Sequence, residues 1–113
     1  MVQAAAADKV FHALSNPTRR KVLERLSAGP ATVSELAAPF GMQLPSFVQH
    51  LSVLERSRLV ASRKRGRVRT YEIAPAPFQL AEDWLTARRR AWEARLDRFD
   101  RYVEELKEKE SAS

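Results

Sequence analysis

The chain has 113 residues, of which 44% are hydrophobic, and it contains no cysteine. Domains typically span roughly 100–200 residues, so residues 1–113 fit one domain, and the absence of thiols excludes disulfides, thiolate metal sites and cysteine nucleophiles. The 20 basic residues outnumber the 14 acidic ones, and the net charge of +6 favours a polyanionic partner. No apolar run approaches the roughly 18 residues that cross a bilayer, so we expect a cytoplasmic protein without a membrane partner.

Two helices are predicted before residue 30. Val10 and Leu14 lie one turn apart in the first of them, as an apolar helix face requires. Asn16 followed by Pro17 indicates an N-cap and then a proline at the first helical position, where its missing N–H removes no hydrogen bond. The second helix is therefore expected over about residues 17–27.

A third, short helix is predicted to begin at Thr32. Thr32 and Glu35 have the spacing of a capping box, in which each side chain satisfies a backbone N–H of the other residue. Pro39 keeps the helix short, and Gly41 suits the left-handed conformation that ends it. Because a fourth helix follows after a short turn, we predict a helix-turn-helix over residues 32–58.

The fourth helix is predicted over about residues 44–58. Its apolar residues are three or four apart and predict one buried stripe of Leu44, Phe47, Leu51 and Leu54. The opposite face is small, mostly polar and free of acidic side chains, so it can enter the major groove of DNA without repulsion from phosphates. A plain solvent-exposed face is the alternative. The expected DNA contacts on this helix are Pro45, Ser46, Val48, Gln49, His50, Ser52 and Arg56.

A basic β-hairpin is predicted over residues 59–73, where β-forming residues flank Gly66. Between Glu55 and Glu72 the chain carries seven basic residues and no acidic one. The remainder of the chain has 13 basic and 14 acidic residues, so its net charge is close to zero. A solvated surface is the ordinary explanation for such a run, but cations crowded at a hairpin tip suit a phosphate backbone better. The expected contacts to phosphates or the minor groove are Arg63, Lys64, Arg65, Arg67 and Arg69.

A long last helix is predicted over about residues 78–109. Its apolar residues are spaced seven, four, three, four and three apart, which is a seam suited to another helix, although Arg89 interrupts it. We therefore expect it to pack with the first helix in a dimer. An effector pocket lined by Trp84 and Trp92 is the alternative. The expected dimer contacts are Val10, Phe11, Leu14, Trp84, Leu85, Trp92, Leu96, Phe99, Val103 and Leu106.

These elements resemble the ArsR/SmtB winged-helix repressors of bacteria and archaea. The resemblance rests on residues 11–20, on residues 35–37 and 50–55 of the helix-turn-helix, and on Arg65-Gly66-Arg67 and Tyr71 of the hairpin. It implies a mainly α fold with a small β-hairpin, the wing, and a long C-terminal dimerisation helix. It also implies a homodimeric, sequence-specific repressor, often of its own operon, with the fourth helix in the major groove.

Two departures from that family bear on function. Leu44 and Val48 stand where members commonly have Gln and Ser, and of the three positions only Pro45 matches the usual Ser or Pro, so the operator sequence is not predictable. The family's thiolate site cannot form, because Ala37 and Ala38 occupy that stretch, and its other site lacks histidines on the last helix. We therefore expect no metal site and no cofactor.

The sequence thus predicts a dimeric repressor that binds double-stranded DNA at a roughly palindromic operator, and it leaves open whether a small-molecule effector exists. A winged-helix module that binds RNA or a protein through the hairpin is the alternative. No enzyme is expected, because His12 and His50 have no catalytic partner that spacing could predict.

Overall fold

The computed structural model describes the backbone of residues 2–112 and the side chains of residues 5–112. As predicted, the chain is mainly helical with a small antiparallel sheet. It divides into two compact units, Met1–Ala81 and Glu82–Ser113. The helices are α1 (Val2–Leu14), α2 (Pro17–Leu26), α3 (Val33–Ala37), α4 (Leu44–Arg56) and α5 (Ala76–Ala112). The strands are β1 (Ala31–Thr32), β2 (Val60–Arg65) and β3 (Val68–Ile73).

The two predicted caps are present and position the helices that follow them. Asn16 Oδ1 accepts hydrogen bonds from the backbone N–H groups of Thr18, at 2.8 Å, and Arg19, at 3.2 Å. Thr32 and Glu35 form the reciprocal capping box, with both backbone bonds at 3.2 Å. Because these caps satisfy N–H groups that the first helical turn leaves unpaired, local sequence alone sets where α2 and α3 begin.

The core of the first unit is formed by all of its helices and by the sheet. Phe47, Leu51 and Leu54 of α4 are completely buried at its centre. The remaining buried members are Val10, Ala13, Val22, Leu23, Leu26, Ala31, Leu36, Leu59, Val60, Tyr71 and Ala81. Ala81 lies near the beginning of α5, so the first turns of that helix help to close the core. This core holds α4 in place through its buried side and leaves its opposite, outer face at the surface.

The sheet has the strand order β1-β3-β2, with both pairs antiparallel. The predicted hairpin is the β2–β3 pair, and Gly66 adopts a φ of 60° in the two-residue turn between them. A type II′ turn requires positive φ at this first central position, which glycine adopts without strain. Strand β1 was not predicted, because its two residues are too few to show an alternating pattern. Its Ala31 pairs with Tyr71.

Helix α4 ends at Arg56, two residues earlier than predicted. Ser57 Oγ donates to the carbonyl oxygen of Leu54 at 2.8 Å, and Leu59 N donates to the same oxygen at 3.2 Å. Between them Arg58 has a φ of 64°, the left-handed conformation that commonly ends a helix. This turn directs the chain into β2, so the wing begins next to the end of α4.

Helix α5 is longer at both ends than predicted. It begins at Ala76 with Pro77 in its first turn, where a proline removes no helical hydrogen bond. The second unit is formed by this helix alone, and from Glu82 to Ala112 its side chains are exposed except for the half-buried Thr86 and Val103. Within the described part of the chain, no helix is both long and apolar enough to cross a membrane.

Candidate nucleic-acid interface

Helix α4 has two faces with different chemistry. Phe47, Leu51 and Leu54 are buried, as their spacing predicts. The same pattern predicts that Leu44 is buried with them, but that prediction is wrong, because its side chain is 55% exposed. Residues 43–46 are all exposed, which means that the first turn of α4 lies beyond the edge of the core. Helical spacing identifies the side of a helix but not how far along it the core extends.

The outer face of α4 contains most of the residues that the sequence predicts to contact DNA. Five of them are exposed: Pro45, Ser46, Val48, Gln49 and Arg56. Ser52 is half-buried. At 100° per residue, Gln49 and Arg56 lie opposite the buried stripe. An α-helix is about 10–12 Å in diameter and the major groove is about 12 Å wide, so a helix with small polar side chains can enter it.

His50 is placed differently from the other predicted DNA contacts. Its ring is half-buried, and its Nδ1 accepts a hydrogen bond from Nη1 of Arg19 at 3.0 Å. A guanidinium has donors only, so this contact requires an unprotonated Nδ1. Burial and the positive charge of Arg19 both lower the pKa of His50 from its ordinary value of 6.5. Nδ1 is therefore unavailable to DNA, and Nε2 is the nitrogen that can donate to a phosphate.

Arg19 of α2 connects α1 to α4. Its side chain is buried, and besides the bond to His50 it donates from Nε to the carbonyl oxygen of Ala13 at 2.8 Å and from Nη2 to that of His12 at 2.9 Å. Both carbonyls belong to the last turn of α1, where the helix dipole favours a cation. Sequence reasoning missed this role, since Arg19 and His50 are 31 residues apart and belong to no local motif.

Replacing Arg19 by methionine is expected to destabilise the protein by about 2 kcal/mol, because buried acceptors in α1 and α4 lose their donor. Arg20→Met is the matched control. Arg20 also donates to a carbonyl at the end of α1, that of Leu14 at 2.8 Å, but its side chain is exposed. Its loss is therefore expected to change stability by less than about 0.5 kcal/mol. Urea unfolding measures both, and equal losses would contradict a special role for Arg19.

The lowered pKa of His50 predicts a pH-dependent stability. Above pH 6.5 the ring is neutral in both the folded and the unfolded chain, and the stabilisation is complete. As the pH falls below 6.5 towards the folded pKa, the unfolded chain binds the proton first, so the free energy of unfolding decreases. His50→Gln is expected to lose this decrease in stability at low pH. His12→Gln changes an exposed position and leaves His50 in place, so it is expected to retain the decrease. Urea unfolding between pH 5 and pH 7.5 tests the difference.

The wing is the β2–β3 hairpin, and its surface is dominated by cations. All five predicted basic contacts are exposed: Arg63, Lys64, Arg65, Arg67 and Arg69. Alternation along the strands places Arg63 and Arg65 on one face of the hairpin and Lys64 and Arg69 on the other. Arg63 is paired with Glu72 at 3.5 Å, which partly neutralises its charge. Arg63 and Arg65 also line a groove of about 400 Å³ together with Val68 and Thr70.

Glu55 connects α4 to the wing. Its Oε2 accepts a hydrogen bond from Ser62 Oγ at 3.2 Å, and Ser62 Oγ in turn accepts one from Nη1 of Arg69 at 2.7 Å. The buried Tyr71 also donates to Glu55, and burial together with this carboxylate raises the pKa of Tyr71 to about 12. The sequence identifies Glu55 only as the acidic limit of the basic segment. Its role depends on pairings across the hairpin that periodicity along one helix cannot reveal.

The predicted dimer contacts are distributed over both units, and they differ in how exposed they are. In the second unit the predicted apolar row is exposed apart from the half-buried Val103, with fractions of 54% for Leu85, 58% for Trp92, 44% for Leu96 and 61% for Phe99. In the first unit Phe11 and Leu14 are half-buried. Val10 is completely buried in the core of its own chain, so it is not available to a second subunit.

Arginines cover the two tryptophans of α5. The guanidinium carbon of Arg88 lies 5.3 Å from the ring centre of Trp84, and that of Arg95 lies 5.7 Å from the ring centre of Trp92. Cation–π contacts of this kind reduce the exposed area of an aromatic ring. Arg89, which interrupts the apolar row, is paired with Glu93 at 3.7 Å, one turn further along the helix. Two arginines of α5 therefore lie against its exposed tryptophans.

A second groove, of about 450 Å³, lies between α1 and α4 of the first unit. Its lining residues are Asp8, Lys9, His12, Val53, Arg56 and Ser57. Among the side chains of residues 5–112, no three His, Asp or Glu groups are close enough to share a metal ion. His12 faces this groove, whereas His50 is engaged by Arg19, so the two imidazoles have different surroundings.

This chain is similar in sequence and in structure to known proteins. A family model described as a helix-turn-helix domain matches residues 14–63, which contain α2, α3 and α4. A crystal structure described as an ArsR family transcriptional regulator, RHA00566, is similar with a TM-score of 0.77 and 51% identity, over 80% of this chain and 93% of that one.

Two proteins with similar sequences are also named as transcriptional regulators. The transcriptional repressor SdpR of Bacillus subtilis is 31% identical over 78 residues, which are 69% of this chain and 87% of that protein. The HTH-type transcriptional regulator Rv2034 of Mycobacterium tuberculosis is 43% identical over 68 residues. That match spans 60% of this chain and 64% of Rv2034, so it leaves more than a third of that regulator uncovered.

Proposed function

This chain belongs to the ArsR family of winged helix-turn-helix transcriptional regulators, and from that premise we propose that it is a homodimeric repressor of a roughly palindromic operator. The observation that carries the proposal is the exposed outer face of α4 next to the exposed cations of the wing, connected through Glu55 and Ser62. A helix without acidic side chains on its outer face and a basic hairpin together suit the groove and the phosphates of one DNA segment.

The two parts of this surface have different proposed roles. Ser46, Gln49 and Ser52 of α4 hydrogen-bond base edges in the major groove, because amide and hydroxyl groups can distinguish the edges of the four base pairs. The cations of the wing, with Arg65 and Arg67 nearest the turn, contact phosphates or the minor groove and supply affinity for any duplex. Sequence preference therefore comes from the helix and most of the binding energy from the wing.

A second copy of the chain completes the proposed repressor. The exposed row of Leu85, Trp92, Leu96 and Phe99 on α5 is the kind of surface that a partner helix buries. In a two-fold dimer the two α4 helices are expected about 34 Å apart, one turn of DNA, so the operator has two inverted half-sites. Phe11 and Leu14 of α1 are further proposed contacts of the dimer.

The proposed repressor works in the cytoplasm, on its own promoter or on others, and does not sense metals through the family's known sites. Ala37 and Ala38 occupy the stretch of the thiolate site, and no histidine lies on α5 for the other one. Any signal that releases the operator is then of another kind, such as a small-molecule effector. The pair of Trp84 and Trp92 is one place where an apolar effector could bind.

The experiment that tests the proposal is a binding titration at fixed salt with the chain's own upstream DNA, random duplex DNA and duplex RNA. We expect the upstream fragment or other selected genomic fragments to bind most tightly, and both DNA samples to bind better than RNA. With about six phosphates contacted per dimer, affinity should decrease roughly a thousandfold between 50 and 200 mM salt. Preferential binding of RNA, or a complex insensitive to salt, would refute the proposal.

Replacing Gln49 by alanine is expected to reduce the preference for the operator over random DNA by about 1–3 kcal/mol, because a base edge loses its partner. Affinity for random DNA should change little, since Gln49 carries no charge. Competition titrations with both DNAs separate the two effects. If Gln49→Ala weakened both DNAs equally, the proposed base contact would be wrong.

A further inference from the structure

In the first unit, the exposed large apolar side chains lie at the candidate interface. Within residues 5–81 of the described structure they are Leu44, at 55%, Val48, at 39%, and Val68, at 52%. Leu44 and Val48 belong to α4, and Val68 belongs to the wing. The helices that build the remainder of this unit bury their large apolar residues or leave them half-buried. The exposed apolar area therefore coincides with the surface proposed to meet DNA.

Leu44 and Val48 form one continuous apolar patch on α4. They are four residues apart, so their side chains are neighbours on the same ridge of the helix. At 100° per residue this ridge lies on the side of α4 that also carries Glu55, which bonds Ser62 of the wing. On its other side the patch is next to Ser52, which is four residues after Val48. It lies between a proposed polar contact to bases and the wing.

We propose that Leu44 and Val48 read the C5-methyl groups of thymine in each operator half-site. This inference rests on the proposed function and specifies its target. The thymine methyl is the apolar group that DNA presents in the major groove, and contact with it removes apolar surface from water on both molecules. At this position a G·C pair would leave polar base atoms facing leucine and valine without partners, so the patch also disfavours that pair.

The spacing of the patch limits which thymines are involved. Four residues of α-helix rise about 6 Å, and successive base pairs are about 3.4 Å apart. Two methyl groups read by this pair are therefore expected about two base-pair steps apart in each half-site. Such a preference differs from the hydrogen-bonding code of Gln49, since it requires no polar atom on the protein.

The test uses an operator selected from a random duplex library and resynthesised with uracil in place of one thymine at a time, symmetrically in both half-sites. Uracil keeps every hydrogen-bonding group of thymine and lacks only the methyl. At the positions read by the patch we expect roughly a fourfold loss of affinity for each methyl, and thus about 15-fold for the symmetric pair. Uracil at the other thymine positions is expected to leave affinity unchanged.

Two protein variants identify which side chain reads which methyl. Val48→Ala and Leu44→Ala shorten exposed side chains, so both proteins are expected to fold, which circular dichroism checks. Each variant should bind thymine and uracil operators equally at one symmetric position and remain sensitive at the other. Val68→Ala, which shortens the exposed valine of the wing, is the matched control and should keep the sensitivity of the native protein at both.

The outcomes separate this inference from the function on which it rests. A selected operator that binds uracil and thymine forms equally at every position would overturn the inference and leave the repressor intact. If no sequence were selected over random DNA, both would fail. A 5-methylcytosine·guanine pair offers the same methyl group beside different polar atoms, so it should bind less well than thymine·adenine at these positions. Equal binding would overturn the assignment to thymine.

Discussion

The protein with Arg65→Ala and Arg67→Ala is expected to bind every duplex DNA more weakly and with a much smaller dependence on salt. Both side chains are exposed beside the turn of the wing, and a two-fold dimer loses four cations. With about six phosphate contacts in the native dimer, the slope of log affinity against log salt is about −5, and it should decrease to about −2 in the variant.

This prediction is measured by titrating the operator and a random duplex between 50 and 200 mM salt. Preference for the operator should be retained, because the wing is proposed to contact the backbone and not to distinguish bases. Arg90→Ala with Arg101→Ala is the matched control, since it removes the same charge from exposed positions of α5. A native salt slope in the wing variant would show that these arginines do not contact phosphates, and an equal decrease in the control would show that they act only through the net charge of the protein.

Replacing Leu96 by glutamate is expected to convert the proposed dimer into monomers. Leu96 lies in the middle of the apolar row of α5 and is 44% exposed in the single chain. Burial of a leucine stabilises an interface by about 2 kcal/mol, and a two-fold interface contains each residue twice. The dissociation constant of the dimer should therefore rise about a thousandfold or more.

The loss of the dimer should also abolish tight operator binding, by about a hundredfold or more, because each monomer engages one half-site only. Sedimentation analysis and gel-shift titration measure the two effects. Ala94→Glu is the control, because this exposed position lies two residues away, about 200° around the helix from Leu96. Monomers produced equally by both variants would show that the loss of the dimer is not specific to this row, and a dimeric Leu96→Glu protein would remove the row from the interface.

Local signals predicted the beginnings of α2, α3 and α4 and the hairpin well. Asn16 and Thr32 cap α2 and α3 because a cap is formed by residues two or three positions apart, so its chemistry is visible in the sequence. Phe47, Leu51 and Leu54 are buried as predicted, because residues at this helical spacing lie on the one side of α4 that packs against the core. The same reasoning failed for Leu44, since the pattern does not show where the core ends.

Contacts between distant residues account for the rest of the site. Arg19 contacts His50, 31 residues away, and Glu55 of α4 contacts Tyr71 of the wing. Neither pair can be recognised from the spacing of residues in the sequence. Strand β1 is formed only because β3 already offers a free edge to its two residues. The sequence could thus predict the exposed basic surface that is proposed to face DNA, but not the hydrogen bonds that hold its parts in place.

The position of β2 at the outside of the sheet has a further consequence, for the behaviour of the protein in the absence of DNA. An outer strand offers unpaired backbone groups to which a strand of another molecule can add. Here that strand carries Arg63, Lys64 and Arg65, and two such strands brought together would repel each other. The same side chains that are proposed to attract DNA therefore protect the free regulator from aggregation through its sheet.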